Sequence, residues 1–563
     1  MIKFLFVCIF FSLSSTFSFG QSVPADGYHA PLGIPLILSS NFGELRPNHF
    51  HMGIDFKTNN RIGYNLYSIE EGIVSRIKVS PYGYGKVVYI DHPNGITSVY
   101  AHCSEFKGLV DSIVRATQEK EQNYAVEIFP KPNEIKLKRG EVFALSGNTG
   151  SSTAPHVHFE MRDTRTEAAL NPLVFGFDIA DSKKPEIRGL KIYGLTKDGY
   201  QHPGKSVIRT VKKGTYGYYI GADKVTVPAS FCTETGGIGM AIDAIDRLDG
   251  AGNQCGLYGS ILIIDGDTLF GQKTDRVPFE STRYVNSHKD YVEYSVRRKK
   301  YHKCFKTTEN DLPIYKFGEN GIINAKPGDS FKVKYIAFDP KGNKSMLEFE
   351  LAVAAGAINP NDDLGVDLTY LQPAYPLLLE NEDRSIEFGI ATTYEPMKLH
   401  ESKVAYEIGK AALPVNRAYR VKIKSDLVND GKYFIEFVTA KGKTRRLVAT
   451  YEDGWYSAES KYFGTYRLKR DVTPPTISTL NFKSTTTYTS SKKMTWKIAD
   501  AHIGIADYDL FIDGKWYLLE YEYKGNYVTF HRPAEVTGKK KVLLRVEDKL
   551  GNVKKWEREI TFK

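Results

Sequence analysis

The sequence predicts a mainly β protein built from several modules, and three observations carry that prediction. Tyrosine (36) and phenylalanine (31) are abundant, while long alanine–leucine helical patterns are rare, a balance that suits strands. From about residue 28 to 178, short apolar runs are punctuated by glycine. Beyond residue 180 a D-x-x-G-N pattern recurs at Asp249–Asn253, Asp339–Asn343 and Asp548–Asn552, where Asp, Asn and Gly all suit tight turns. A length of 563 residues exceeds one ordinary core and implies about three or four units.

Residues 1–20 read as a signal peptide. Lys3 supplies the positive start, Phe4 to Leu13 the apolar run, and Ser18-Phe19-Gly20 the small residues before Gln21. The run is shorter than the roughly 20 residues a membrane span needs, and no later stretch qualifies as a transmembrane segment. Cys8 lies inside the run, which argues against a lipoprotein cleavage site. The expectation is an exported, soluble chain in the periplasm, at the cell surface or outside the cell.

Residues 28–178 form the first unit. Gly83-Tyr84-Gly85-Lys86 precedes Val87–Ile90, and Asn94-Gly95 separates that run from Ile96–Tyr100, a hairpin pattern. One stretch differs: Leu109, Val110, Ile113 and Val114 recur at helical spacing, predicting an amphipathic helix over 107–122. A turn at Lys138–Glu141 then leads to a strand from Val142 to Ser146.

The D-x-x-G-N turns at 339–343 and 548–552 each lie between two β-rich runs, and all three read as hairpin turns. Asp181…Pro185-Glu186-Ile187 and Asp471…Pro474-Pro475-Thr476-Ile477 resemble each other as lead-in segments. Immunoglobulin-like β-sandwich modules are therefore expected at 182–356 and 471–563. A further β-rich domain is expected at 360–470, with Asn429-Asp430-Gly431 as a turn. The basic run Arg297–Lys300 reads as a solvated strand end or loop.

The formal charge is +10, or +9 without Lys3. So small an excess is not a nucleic-acid pattern; it suits acidic polymers at a cell surface and equally suits ordinary solubilising charge. Cys103, Cys232, Cys255 and Cys304 remain after the leader, with Cys232–Cys255 the nearest pair by sequence for a disulfide. No CxxC motif is present.

Seven of the thirteen histidines fall between His29 and His158, which places the chemistry near the amino terminus. Two motifs stand out there, His51-Met52-Gly53-Ile54-Asp55 and His156-Val157-His158. In an extended chain His51, Gly53 and Asp55 share one face, and so do His156 and His158, with Gly53 leaving room for a metal or substrate. A catalytic zinc takes three protein ligands and keeps one position for water, a count met by His51, Asp55 and His158. His156, and His102 in Tyr100-Ala101-His102, are left for acid–base work. Either motif alone is common; their joint occurrence in this order, with Tyr-x-His between, is the signal.

These residues resemble the lysostaphin-type, or LytM-like, zinc metallopeptidases that cleave peptidoglycan peptides. The resemblance covers about residues 28–178 and includes Gly43–Pro47, His51–Asp55, Gly83–Gly85, Tyr100–His102, Ser146–Gly150 and His156–Glu160. It implies an antiparallel-β LytM-like domain with a helical insertion, and one Zn2+ per chain on His51, Asp55 and His158. It also implies His102 and His156 as catalytic histidines and peptidoglycan stem peptides as substrate. Arg46 is a candidate for substrate contact or loop support, and Glu160 for holding a histidine tautomer or for plain surface charge. His49 is set aside because the pattern gives the metal to His51, and Cys103 because an adjacent strand residue points away. The expected activity is a metalloendopeptidase acting on cell-wall cross-links. The alternatives are a protease for glycine-rich peptides and a catalytically silent wall-binding or scaffold protein. The β-sandwich modules are expected to position the peptidase, to bind a protein or glycan partner, or to occlude the groove.

Overall fold

The computed structural model describes residues 23–215, 217–358, 370–398, 414–439 and 442–563. The signal-peptide reading of 1–20 lies outside them. The chain is mainly β, and among the described residues no helix is long and apolar enough to cross a membrane.

The amino-terminal unit is built on one large antiparallel sheet. Its strands are β1 (Leu38–Ser40), β2 (Ile54–Lys57), β3 (Asn65–Tyr67), β4 (Gly72–Val79), β5 (Lys86–Asp91), β6 (Ile96–Cys103), β7 (Glu105–Phe106), β8 (Val126–Ile128), β9 (Lys136–Leu137), β10 (Val142–Leu145), β11 (His156–Asp163) and β12 (Ala169–Leu170). The main path runs β1-β2-β11-β6-β5-β4-β8, and β3-β10-β7 form a small second sheet. Period-two alternation sorts β11 cleanly. Val157, Phe159 and Met161 join Ile54, Phe56, Ile77, Val88 and Tyr100 in the core, while His156, His158, Glu160 and Arg162 occupy the opposite face. The predicted helix is α1 (Gly108–Glu121), with Val110, Val114 and Gln118 buried at four-residue intervals and Gln122 closing it in a left-handed conformation.

The segment from 186 to 353 forms a continuous eleven-stranded arrangement whose long strand Gln201–Gly214 pairs on both sides. Short helices at Val285–His288 and Tyr291–Arg297 interrupt it. Residues 476–562 form two sheets, one of four strands and one of five. Trp496, Ile498 and Val528 of the first meet Leu510, Leu544 and Ile560 of the second in one core. Between these units, strands from Leu377 to Arg470 form five- and three-stranded sheets.

Two sequence expectations are corrected. The turns at 339–343 and 548–552 join directly paired strands, but Asp249–Asn253 does not. The strand before it, Gly237–Ile245, pairs with Glu186–Leu195, and the strand after it, Gly259–Ile264, pairs with Ser330–Phe338. The loop is closed by an Asp246–Cys255 bridge and by Arg247 Nη1 donating to Gly252 O. The four cysteines are all free and buried. Cys232 and Cys255 sit in different apolar clusters, so sequence proximity does not bring them together. As expected, Arg298–Lys300 form a loop between the helix ending at Arg297 and the strand Tyr301–Lys303, although Lys300 turns inward to bring its Nζ 3.2 Å from Glu44 Oε1.

Candidate metal centre

The register of two strand pairs assembles the site. His158 stands opposite Asp55 on one side and Ala101 on the other, so β11 brings the two motifs together beside His102. Regular pairing in β2 begins only at Ile54, and His51 is held instead by a loop ladder: His51 N donates to Glu44 O, and Gly43 N to His51 O. A Cβ on Gly53 would lie 2.4 Å from Phe159 O, 2.8 Å from Glu160 Cγ and 3.0 Å from His158 Cε1. The glycine is therefore required by the close approach of β11, not by space for a ligand.

His51 Nε2 lies 3.1 Å from Asp55 Oδ1, His158 Nδ1 lies 2.9 Å from the same oxygen, and the two ring nitrogens are 3.1 Å apart. One ligand atom from each residue falls within 4.8 Å of the others. The far side of each ring fixes its orientation. His51 Nδ1 donates to Asn41 O at 2.8 Å, and His158 Nε2 to Glu160 Oε1 at 2.8 Å, leaving one lone pair per imidazole facing the centre. These two imidazoles and a carboxylate form a mixed nitrogen and oxygen set that can hold a metal ion and suits zinc.

Glu160 is fully buried, which excludes a surface-charge role. It accepts a hydrogen bond from Tyr84 OH and another from Arg162 Nε at 2.7 Å, while the Tyr84 ring stacks on His158 at 5.3 Å. Burial alone would raise the Glu160 pKa, but Arg162 and His158 pull it down to about 2. Burial would lower His158, but Asp55 and Glu160 hold it up at about 9 in the metal-free protein. Asp55 is buried, yet His51 and His158 keep it well below the ordinary carboxylate range.

His156 and His102 stand beside this cluster with ring centroids 4.7 Å apart. His156 Nδ1 faces Ala154 O at 2.9 Å and Ser152 Oγ at 3.1 Å, and its Nε2 lies 3.6 Å from Asp55 Oδ1. His102 has φ +62°, a left-handed conformation rare for a non-glycine residue. It is pinned by His102 N donating to Tyr84 O and by Nδ1 donating to Thr149 O at 2.9 Å. Burial, with the neighbouring His158 and His156, drives His102 down to about 3, and burial also lowers His156. Arg46 Nη2 is 2.8 Å from Ser40 Oγ and 3.8 Å from Asp55 Oδ2, with its side chain 36% exposed at the mouth. His49 lies outside the metal-capable cluster, and Cys103 is buried with its thiol pushed up to about 12.

Asn41, Ser40 and Tyr84 support the centre without having been singled out as site residues in the sequence. Tyr84 alone left a trace, as the residue between the glycines of Gly83-Tyr84-Gly85. Flanking units hold the same loops. Lys289 Nζ donates to Arg46 O and Pro47 O, Phe50 N donates to Thr282 Oγ1, and Lys524 Nζ donates to Asn148 O and Ser152 O. A cavity of about 730 Å³ between α1 and Trp516–Tyr517 is lined by none of the five clustered site residues.

Known proteins resemble parts of this chain. Residues 49–119 match Peptidase family M23, and residues 390–471 match a Zu5-like domain. An uncharacterized metalloprotease of Haemophilus influenzae is 32% identical over 131 residues, which is 23% of this chain and 21% of that protein. The peptidoglycan DD-endopeptidase ShyA of Vibrio cholerae is 31% identical over 148 residues, 25% of this chain and 28% of that protein. The matched segment thus spans about a quarter of these curated relatives. Among solved structures, the catalytic domain of lysostaphin from Staphylococcus simulans aligns at 23% identity with a TM-score of 0.19, covering 25% of this chain and 91% of that domain. The match to Peptidase family M23 thus falls within the amino-terminal unit, and the units that follow are β-rich.

Proposed function

We propose that this chain is an exported, zinc-dependent endopeptidase that hydrolyses peptide cross-links of peptidoglycan, with one Zn2+ held by His51, Asp55 and His158. The convergence of His51 Nε2, Asp55 Oδ1 and His158 Nδ1, each imidazole locked from behind, is the observation that carries this reading. Kinship to DD-endopeptidases such as ShyA supports the substrate class. Zinc at such a centre lowers the pKa of water and polarises the scissile carbonyl.

The protein's own groups supply the remainder. The two unligated histidines are neutral near pH 7, and each commits Nδ1 to a backbone carbonyl, so Nε2 is the free acceptor. His156, 3.6 Å from Asp55, is the base that takes the proton of the attacking water and returns it to the leaving amine. His102, set deeper, orients that water through its own Nε2. Arg46 stands at the mouth, where its partly exposed guanidinium can receive a substrate carbonyl or carboxylate. Within 28–178 the fold supplies the reaction centre; the β-rich units beyond it brace its loops and offer surface for a glycan or protein partner.

Digestion of cell walls of defined cross-link chemistry, read by mass spectrometry, tests this. Zinc-loaded protein is expected to convert cross-linked muropeptides to monomers, and His51→Ala or a chelator to abolish the conversion. A scaffold would instead bind walls without hydrolysis, and activity surviving His51→Ala would refute the metal assignment.

A further inference from the structure

The carboxy-terminal unit holds a cluster of three carboxylates separate from the histidine site. Asp471, Asp500 and Asp548 come from three separate segments: the lead-in before Thr476–Thr479, the residue after the strand Lys493–Ala499, and the first position of the D-x-x-G-N turn. One carboxylate oxygen from each lies within 4.8 Å of the others. The backbone shapes every carboxylate. Thr473 N donates to Asp471 Oδ1, His502 N and Gly504 N donate to Asp500 Oδ1, and Leu550 N and Asn552 N donate to Asp548 Oδ1. Asn552 ties the cluster together, donating its amide to Asp548 Oδ2 at 2.8 Å and to Asp471 O at 3.1 Å.

Two oxygens in this arrangement are left over. Asp471 is 1% exposed, yet its Oδ2 has no hydrogen-bond partner among the described residues, and neither has the buried Oδ2 of Asp500. Among the described residues the one group close enough to form an ion pair is His502, whose Nδ1 lies 3.1 Å from Asp471 Oδ1. Three converging carboxylates, two with an unpaired buried oxygen, are costly to hold together without a cation. An all-oxygen set of this kind suits a hard divalent ion.

The arrangement is built twice. Asp181, Asp246 and Asp339 converge in the earlier unit from equivalent places: a lead-in before Glu186, the residue after the strand Gly237–Ile245, and the first position of a D-x-x-G-N turn. Asn343 again bonds the turn aspartate at 2.7 Å and the lead-in carbonyl at 3.2 Å. Burial, reinforced by nearby carboxylates, lifts Asp181 to about 6 and Asp246 to about 8, the direction expected where negative charge lacks a counter-ion.

We infer that Asp471, Asp500 and Asp548 form a binding site for a calcium-class divalent cation at the junction between the Zu5-like region and the carboxy-terminal sandwich. The position explains what the ion does. Asp471 N donates to Lys432 O, and Phe434 packs with Ile503 and Leu550 across the same boundary. A cation here clamps the lead-in to two loops of the sandwich and fixes the angle between the units.

The test is a calorimetric titration of the zinc-loaded full chain with CaCl2, paired with thermal unfolding with and without the ion. Wild type is expected to bind Ca2+ and to unfold at a higher temperature in its presence. Asp500→Asn keeps the acceptor for His502 N and Gly504 N but removes charge, and is expected to lose one bound equivalent. Without calcium this variant is expected to be at least as stable as wild type; with calcium the order reverses. Asp500→Glu, which keeps the charge, is expected to retain binding. Absence of Ca2+-dependent heat and stabilisation in wild type would overturn the proposal, as would an Asp500→Asn chain that titrates like wild type. A structural role alone would destabilise Asp500→Asn with or without calcium.

Discussion

Glu160 shows how a residue outside the His51–Asp55–His158 trio can set the properties of the centre. Its carboxylate holds His158 Nε2 and is itself held by Arg162 and Tyr84, so one chain of bonds fixes which nitrogen faces the metal position. Glu160→Gln is expected to weaken zinc binding by about 10–100-fold, measured by competition with a chromophoric chelator. The pH dependence follows from the same pair. In the metal-free protein His158 keeps its proton up to about pH 9, so zinc binding near pH 7 must displace it. Affinity is therefore expected to rise with pH until about 9, and calorimetry in buffers of different ionisation enthalpy should show proton release on binding. Stability of the metal-free chain follows the two signs. The lowered Glu160 contributes above the ordinary carboxyl range and is lost as pH falls toward 2; the raised His158 contributes below its ordinary value of about 6.5 and is lost as pH rises through 9.

Strand β11 is the element on which the site depends, because its alternation puts His156, His158, Glu160 and Arg162 on one face. Gly53→Ala tests the approach of β2 to that strand. The added methyl meets Phe159 O at 2.4 Å, so the variant is expected to lose about 1–3 kcal/mol by denaturant unfolding and to bind zinc more weakly. Much of this element was legible in the sequence. Period two in His156–Arg162 and the buried Met52, Ile54 and Phe56 follow directly from hydrophobic alternation. What stayed hidden depends on loops that only tertiary structure brings together. The positive φ of His102, its carbonyl partner on Thr149 and the Asn41 carbonyl behind His51 leave no periodic trace. The same reasoning explains the misread turn at Asp249–Asn253, whose local chemistry resembles a hairpin although its strands take other partners.

Across the whole molecule, the β-rich units grip the peptidase loops from two sides. Residues 276–300 hold the loop carrying Arg46 and His51 through Lys289 and Thr282, and Arg276–Val277 pairs separately with β12. From the other side, Lys86 pairs with Glu520, and Lys524 fastens the Asn148–Ser152 loop that positions both His102 and His156. Lys524→Ala is expected to leave zinc content unchanged while lowering kcat, by up to about 100-fold if the loop shifts by an ångström. An unchanged kcat would show that the loop holds itself. The D-x-x-G-N repeat was visible in the sequence as turn chemistry; its convergence with distant aspartates was not, because those residues enter from lead-ins and strand ends far away along the chain.

The proposed function requires one metal ion, bound by two histidines and an aspartate and needed for hydrolysis. The direct measurement is cleavage of a cross-linked muropeptide while metal-free protein is titrated with Zn2+. Activity is expected to be absent at the start, to rise linearly and to stop rising at one equivalent, and to stay absent throughout in His51→Ala. Cleavage by the metal-free protein, or a variant that titrates like wild type, would contradict it.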